Sequence, residues 1–536
     1  MDRTISVSIL YGFFAQRLSN TEAFSKLDSQ TEQIENLGDK VIKGASWTIT
    51  SKIVAQLLSF CVTIVLVRLL SPEDYGLVAL SGVFIKFIDI FRNMGFGEAI
   101  IQRKSINNDF LSTAFWITIA VGLCMVLLIY ITSPIICNFY SEKGLRNILI
   151  LSSLAFLISP LSEIHETILT KNLEFKKIAY LNLLYPLFFG ASAILLALSD
   201  FGVWSLVLGN LIAQFLITPV IWSMAKWRPK FVFNMKRFKE LLDFGSYILS
   251  FKFVNYLARN SDNLIIGKVL GAISLGYYSI AYNLMLKPLQ HISWSISRIM
   301  LPTLSSIQEE KERVRTGYLK TVRSISLITF PIMTGLMVVA REFVLIFYGI
   351  KWEPAVIPLR ILCIVGALQS IGTTVGTIFI SQGRPDLQLR VGVFNTSIIV
   401  AAFFIGVKWG LTGVALAYGI VSIILFLPNQ YWANRLIGLK LRYFLKALYP
   451  AAFSSFIMMT ILHILREINV VFFHLHTIPL FISLCILGFL VYLILAVHVF
   501  CIPEIEEIVL VFEKKFFHGR NLISKFLRKN CGSSDF

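Results

Sequence analysis

Ser46-Trp-Thr-Ile-Thr-Ser-Lys52-Ile-Val-Ala-Gln56-Leu-Leu-Ser-Phe-Cys-Val-Thr-Ile-Val-Leu-Val-Arg68 is an apolar run long enough to cross a hydrocarbon core about 30 Å thick, and its pattern returns two hundred residues later. Ser246-Tyr247 takes the place of Ser46-Trp47, and the same offset pairs Lys52 with Lys252, Val54 with Val254, Arg68 with Lys268 and Gly76 with Gly276. Further along, an offset of 208 pairs Phe139-Tyr140 with Phe347-Tyr348 and Gly202 with Gly410. The polar segment Gln308–Arg315 absorbs the change of eight residues. Matches spread this widely mark an internal duplication. An even number of helices separates the copies, so both point the same way and are related by an axis along the membrane normal.

Similar apolar runs recur from near residue 45 to near residue 500. Of the 536 residues 56% are hydrophobic and 15% charged, and the mean hydropathy is +0.73, far more apolar than a soluble domain. The expected fold is an all-α integral membrane protein of about fourteen transmembrane helices. It divides into an N-terminal cytoplasmic extension (1–40), two pseudo-symmetric six-helix lobes (41–228 and 229–440), two extra helices (441–502) and a basic cytoplasmic tail (503–536). Within the extension, Ile5–Leu18 is mildly apolar without a signal-peptide cleavage pattern, and reads either as a surface-lying segment or as a disordered lead-in. Short joining loops leave no place for a catalytic ectodomain, and no Ser/His/Asp, Cys/His or HExxH arrangement occurs, so an enzyme is not expected.

The net charge of +18 is distributed unevenly. Most Lys and Arg fall on one side of the expected helices, including Lys226, Arg228, Lys230, Lys236, Arg237 and Lys239. This is the positive-inside asymmetry; it places both termini in the cytoplasm and argues against nucleic acid as a partner. The 7 cysteines show no CxxC spacing and mostly fall inside helices, so neither a disulfide framework nor a metal site is expected, and no cofactor is implied.

Cations inside the spans are more informative. A Lys or Arg at the bilayer centre costs roughly 2.5–3.5 kcal/mol, so Lys52, Lys86, Lys252, Lys287, Arg298 and Arg360 must mostly line a wet cavity or find partners. Arg92 and Arg259 lie near span ends. Helical spacing gathers these cations into stripes: Thr48, Lys52, Gln56, Ser59 and Thr63; Lys86, Asp89 and Asn93; Lys252, Asn255, Arg259 and Asn263; Asn283, Lys287, His291, Trp294 and Arg298. They belong to the first two helices of each lobe and make a mainly cationic lumen, suited to an anionic substrate. The alternative is pairing between helices, for instance Lys86 with Asp89. Glu163, His165 and Glu166 follow Pro160, and with Asp89 the two glutamates are candidates for ion or proton coupling; an interfacial position without function is the other reading. Pro160, Pro186, Pro288 and Pro331 are candidate bending points, and Gly410-Leu-Thr-Gly413 suggests close helix packing.

Four runs carry a family resemblance: Val67-Arg-Leu-Leu-Ser-Pro-Glu-Asp-Tyr-Gly-Leu-Val-Ala-Leu80, Met94-Gly-Phe-Gly-Glu-Ala-Ile-Ile-Gln102, Leu301-Pro-Thr-Leu-Ser-Ser-Ile-Gln308 and Phe347-Tyr-Gly-Ile-Lys-Trp352. The chain resembles the polysaccharide transporter (Wzx-type oligosaccharide flippase) family of the multidrug/oligosaccharidyl-lipid/polysaccharide exporter superfamily, and is similar to its colanic acid exporter group. The resemblance implies a multi-pass protein of the bacterial inner membrane. Its substrate would be undecaprenyl-pyrophosphate-linked oligosaccharide units for O-antigen, capsule or exopolysaccharide, moved by alternating access. Partners would be that substrate, membrane lipids, and the polymerase and other assembly proteins. The pyrophosphate would then meet the repeat-related Lys52 and Lys252, assisted by Lys287, Arg259 and Arg298, with Lys86, Gln56 and Asn255 completing the lumen. The alternatives are a multidrug or cation antiporter of the same superfamily and a membrane-embedded glycan polymerase.

Overall fold

The computed structural model describes residues 50–92, 107–232, 235–469 and 476–496, with 47, 97, 100 and 101; for 236–255, 257 and 258 it describes the backbone alone. The expected extension 1–40 and tail 503–536 lie outside the described residues. Every regular element among the described residues is helical. Eleven stretches there are long and apolar enough to cross a membrane.

The first is α1 (Thr50–Leu69), followed by α2 (Pro72–Arg92). The turn between them explains the most distinctive part of the sequence. Pro72 occupies the first helical position, where its missing N–H is no loss. Ser71 and Asp74 cap the helix reciprocally: the Ser71 hydroxyl and N–H both donate to Asp74 Oδ2 at 2.7 and 2.8 Å, while the Asp74 N–H donates to Ser71 Oγ. With Lys86, Asp89 and Arg92 in its second half, α2 is too charged to count among the eleven apolar stretches.

Next come α3 (Asn108–Tyr140), α4 (Leu145–Ser153), α5 (Ala155–Lys171), α6 (Phe175–Leu198) and α7 (Trp204–Met224). α8 (Met235–Pro288) is two helices joined at Gly271, whose φ of 79° breaks the helical path. After Pro288, residues 289–293 form a wider π-turn before α9 (Trp294–Ser306). α10 (Lys311–Val338) leads through the short α11 (Ala340–Phe343) to α12 (Val356–Ser381). α13 (Pro385–Gly406) and α14 (Gly410–Leu436) meet at a 3-10 turn in which Gly410 has φ 72°, and α15 (Leu441–Ile468) and α16 (Thr477–Ile494) finish the described chain. Gly406 and Gly413 back onto each other's carbonyls, so of the expected close-packing run Gly413 serves that contact, while Gly410 has open space around it and supplies the positive φ of the turn.

α2 packs most extensively against α8, α6 against α7, α12 against α14, and α10 against α15. Where α2 crosses α8, the copies meet reciprocally. A Cβ on Gly76 would strike the carbonyl of Ala272, and one on Gly276 would strike the carbonyl of Pro72. Residues 72 and 76 are the repeat images of 272 and 276, so the contact is self-complementary in the manner of a twofold interface. Leu80, Ile266, Leu275 and Tyr278 fill the core around it. Large apolar side chains such as Leu57, Ile131, Ile135, Phe215 and Phe489 face outward; in water they would be an aggregation hazard, whereas in a bilayer they are the natural outer surface.

Candidate functional site

The same end of the molecule is pinned by cations on carbonyls. The Arg68 guanidinium, at the end of α1, donates to the carbonyls of Ile346 and Phe347, the latter at 3.0 Å from Nε. Its repeat image Lys268 donates to the carbonyl of Phe139, itself the repeat image of Phe347. Lys351 adds bonds to the carbonyls of Arg68 (2.6 Å) and Leu70, and the Trp352 indole bonds the Val67 carbonyl at 2.8 Å. The helix ends that supply the Phe139 and Phe347 carbonyls are each followed by a residue of positive φ, Ser141 at 60° and Gly349 at 94°. Arg68, Pro72, Tyr75 and Gly76 thus each have a structural task in the signature run, Tyr75 standing edge-on to Trp352 at 5.4 Å.

Two cavities lie away from this latched end. The larger, of about 840 Å³, is walled by α8, α9, α12, α13 and α14. Arg259, with its guanidinium 5.2 Å over the Trp294 ring, and Arg298 are its charged residues. The remaining polar wall is amide and hydroxyl: Gln369, Gln388, Asn395, Asn429 and Gln430, with Ser297, Thr373, Thr396, Tyr418 and Ser422. Several are fixed by hydrogen bonds, Asn395 to Asn429 at 3.1 Å and Ser297 to Thr373 at 3.3 Å within the wall, and Gln430 Oε1 accepting from the Tyr318 hydroxyl behind it at 2.9 Å. Neither Asp nor Glu lines this cavity among the described residues.

The smaller cavity, of about 640 Å³, is walled by Lys52, Gln56 and Ser59 of α1, Ser159, Ser162, Glu166 and Thr170 of α5, Asn182 and Tyr185 of α6, Gln214 of α7, and His291 from the π-turn. Lys52 stands sixteen residues from Arg68, about 24 Å along the helix. The offset of 208 carries Leu181, Tyr185, Gln214 and Ile217 of this wall onto Leu389, Val393, Ser422 and Leu425 of the larger one. The two cavities are therefore built from repeat-related positions.

The structure groups Lys52, Gln56 and Glu166 in one cavity and Arg259 and Arg298 in the other. Lys86 is exposed on α2, and Lys287, half-buried at the end of α8, lines neither. Lys252 and Asn255 lie on the α8 backbone, but their side chains fall outside the described ones. The stripe from Asn283 to Arg298 is divided by the π-turn, which rotates later residues around the axis. His291 consequently faces the smaller cavity, while Trp294 and Arg298 face the larger.

Asp89 and Glu163 share one partner. The buried Arg92 bonds Asp89 at 2.7 Å and Glu163 through its other nitrogen, tying α2 to α5. His165 is fully buried and stacks on Trp222 at 4.6 Å, with Phe115 and Trp227 around it. The five amides of the larger cavity carry no charge and form no stripe along one helix; Asn and Gln inside apolar spans are the signal they leave in the sequence.

Residues 65–357 match the family described as "Polysaccharide biosynthesis protein". Over 400 residues the chain is 29% identical to the lipopolysaccharide biosynthesis protein WzxC of Escherichia coli K12, covering 73% of this chain and 80% of that one. Over 406 residues it is 29% identical to the teichuronic acid biosynthesis protein TuaB of Bacillus subtilis 168, covering 75% and 84%. Among solved structures, the inward closed conformation of the lipid II flippase MurJ superposes with a TM-score of 0.66 at 19% identity, covering 85% of this chain and 98% of that one. That likeness shows the fold.

Proposed function

Because the chain belongs to the polysaccharide biosynthesis protein family that matches its residues 65–357, we propose that it is a flippase carrying lipid-linked oligosaccharides across a membrane during polysaccharide assembly. Two membrane-embedded cavities holding Lys52, Arg259 and Arg298, in a chain whose relatives are named for lipopolysaccharide and teichuronic acid biosynthesis, support this function. A phosphate-bearing head group finds a point charge in Lys and a planar fork in Arg. The lipid tail stays among the exposed apolar side chains of the helices. A cavity walled by arginine and amides, with no carboxylate among its described lining, is poorly matched to an organic cation.

The fuller arrangement is part of the same proposal. Counting α13 and α14 separately, dividing α8 at Gly271 and adding α2 takes the eleven apolar stretches to fourteen crossings. Residues 41–228 and 229–440 form the two lobes, and 441–502 the added pair. With both termini cytoplasmic in a bacterial inner membrane, the latched end faces outward and the cavities are reached from the cytoplasm. Flipping then breaks the Arg68, Lys268 and Lys351 bonds and rocks the lobes about the loaded head group. Lys52 and Lys252 remain the symmetry-related pair assigned to the pyrophosphate, with Glu166, which faces a cavity, the carboxylate best placed to couple an ion.

Mass spectrometry of lipid-linked oligosaccharides in cells lacking the protein, with a leaflet assay, tests the function. Accumulation on the cytoplasmic leaflet with loss of surface polymer is expected. Normal polymer in a strain without a redundant flippase would refute it, and intact transport in both Lys52→Glu and Lys252→Glu would refute the pyrophosphate assignment.

A further inference from the structure

The two cavities occupy repeat-related positions yet differ in chemistry, and the difference points to separate tasks. The smaller holds a carboxylate, Glu166, beside Lys52 and His291. In the second copy the positions of Glu163, His165 and Glu166 are Ile371, Thr373 and Thr374, and Thr373 lines the larger cavity. Thr374, at the position of Glu166, does not line the larger cavity, whose charged residues among the described lining are Arg259 and Arg298.

A primary amide carries an acceptor and a two-hydrogen donor on one rigid plane, whereas a carboxylate only accepts. Sugar hydroxyls both donate and accept, so amides complement them along a chain of rings. Asn395 and Asn429 are bonded together at the cavity wall, which orients both planes. Gln430 is fully buried, its Oε1 engaged by Tyr318 while its amide nitrogen has no partner among the described residues. A buried donor left open in this way costs free energy unless a ligand acceptor meets it. Trp294 adds an aromatic wall beside Arg259, and the volume of about 840 Å³ has room for a short oligosaccharide.

We infer that the larger cavity, in the second copy of the repeat, is the chamber for the glycan of the lipid-linked substrate: amides read its hydroxyls, and Arg259 and Arg298 hold its anionic end. This rests on the flippase function proposed above. The repeat has diverged so that one copy receives the sugar while the other keeps the carboxylate. Acidic or neutral glycans fit this chamber; glycans bearing free amino groups meet two arginines and are disfavoured.

Native mass spectrometry of the full-length chain in nanodiscs, offered sugar-free undecaprenyl pyrophosphate or the lipid-linked oligosaccharide pool extracted from its host, tests the inference. The wild type should bind the sugar-bearing lipid more tightly than the bare one. Asn395→Ala and Thr373→Val, on different helices, should each weaken sugar-bearing lipid binding by about tenfold, the scale of a lost hydrogen bond or two, while the bare lipid is still held. Continued binding of the bare lipid shows that the variants are folded. Equal loss of both lipids in both variants, loss of neither, or loss of the preference in Gln214→Ala instead would overturn the glycan chamber and leave the flippase function standing. A wild type that binds neither lipid would overturn the flippase function itself.

Discussion

Gly76 and Gly276, two hundred residues apart, sit at one helix crossing, and each is held against main chain from the other's neighbourhood: Gly76 on Ala272, Gly276 on Pro72. Neither clash could be relieved by turning a side chain. Gly76→Ala and Gly276→Ala should each destabilise the protein by about 1–3 kcal/mol. Thermal unfolding of the purified variants checks this, and melting temperatures equal to the wild type would contradict the crossing.

In the proposed orientation the latch closes the outer face and sets a conformational balance. Removing both repeat-related cations in Arg68→Ala/Lys268→Ala should populate an outward-open state. A cysteine at Ser59, on the smaller cavity wall, would then react faster with a membrane-impermeant thiol reagent added from outside. Single variants should give smaller increases, and unchanged labelling in the double variant would show that the bonds do not keep that face shut.

The two glutamates of α5 should behave differently in transport. Glu163 is fixed on Arg92, whereas Glu166 faces the smaller cavity. Glu166→Gln should lower flipping driven by an imposed ion gradient, and Glu163→Gln should leave the gradient dependence in place. The reverse pattern in vesicles would assign coupling to the Arg92 cluster.

Arg92 itself is a packing element. Its side chain is 9% exposed and that of Glu163 19%, so Arg92→Ala would strand a mostly buried carboxylate and should destabilise by about 3–5 kcal/mol. Asp89, at 44% exposed, contributes little to that loss. Unfolding curves of Arg92→Ala and Asp89→Asn separate the two.

Helix α15 is moored by another buried pair, Arg466 with Glu342 on α11, 2.7 Å apart and 13% and 7% exposed. Arg466→Ala should destabilise by about 3–5 kcal/mol, and Arg466→Met/Glu342→Leu should recover much of it because no charge is left unpaired. A double variant no better than the single would show that the pair matters for another reason.

The contacts at the latched end were legible in the sequence because matches at constant offsets leave a register that can be read directly. Gly76 with Gly276, Arg68 with Lys268 and Phe139 with Phe347 all reappear as reciprocal contacts. The grouping of the cations was less legible. A stripe at steps of three and four assumes an unbroken α-helix, and the π-turn after Pro288 sends His291 and Arg298 to different cavities. The destination of Asp89 depended on Arg92 and Glu163 meeting across 71 residues of chain, a tertiary fact that spacing along one helix does not contain. Neutral amides in apolar spans carry a weaker insertion cost than charges and so a weaker signal, although Gln430 is as fully buried as the core around it.

The bonds that Arg68, Lys268 and Lys351 make across the latched end all terminate on main-chain oxygen. Such acceptors belong to the backbone near helix ends, so each bond is set by where those ends lie. The side chains share in the seal as well, with Lys268 standing 4.7 Å over the Phe139 ring and Phe347 packed on Phe343 and Phe481. Displacing those helix ends parts the bonds together, so the impulse to open arrives mechanically, through the helices, from whatever occupies the interior.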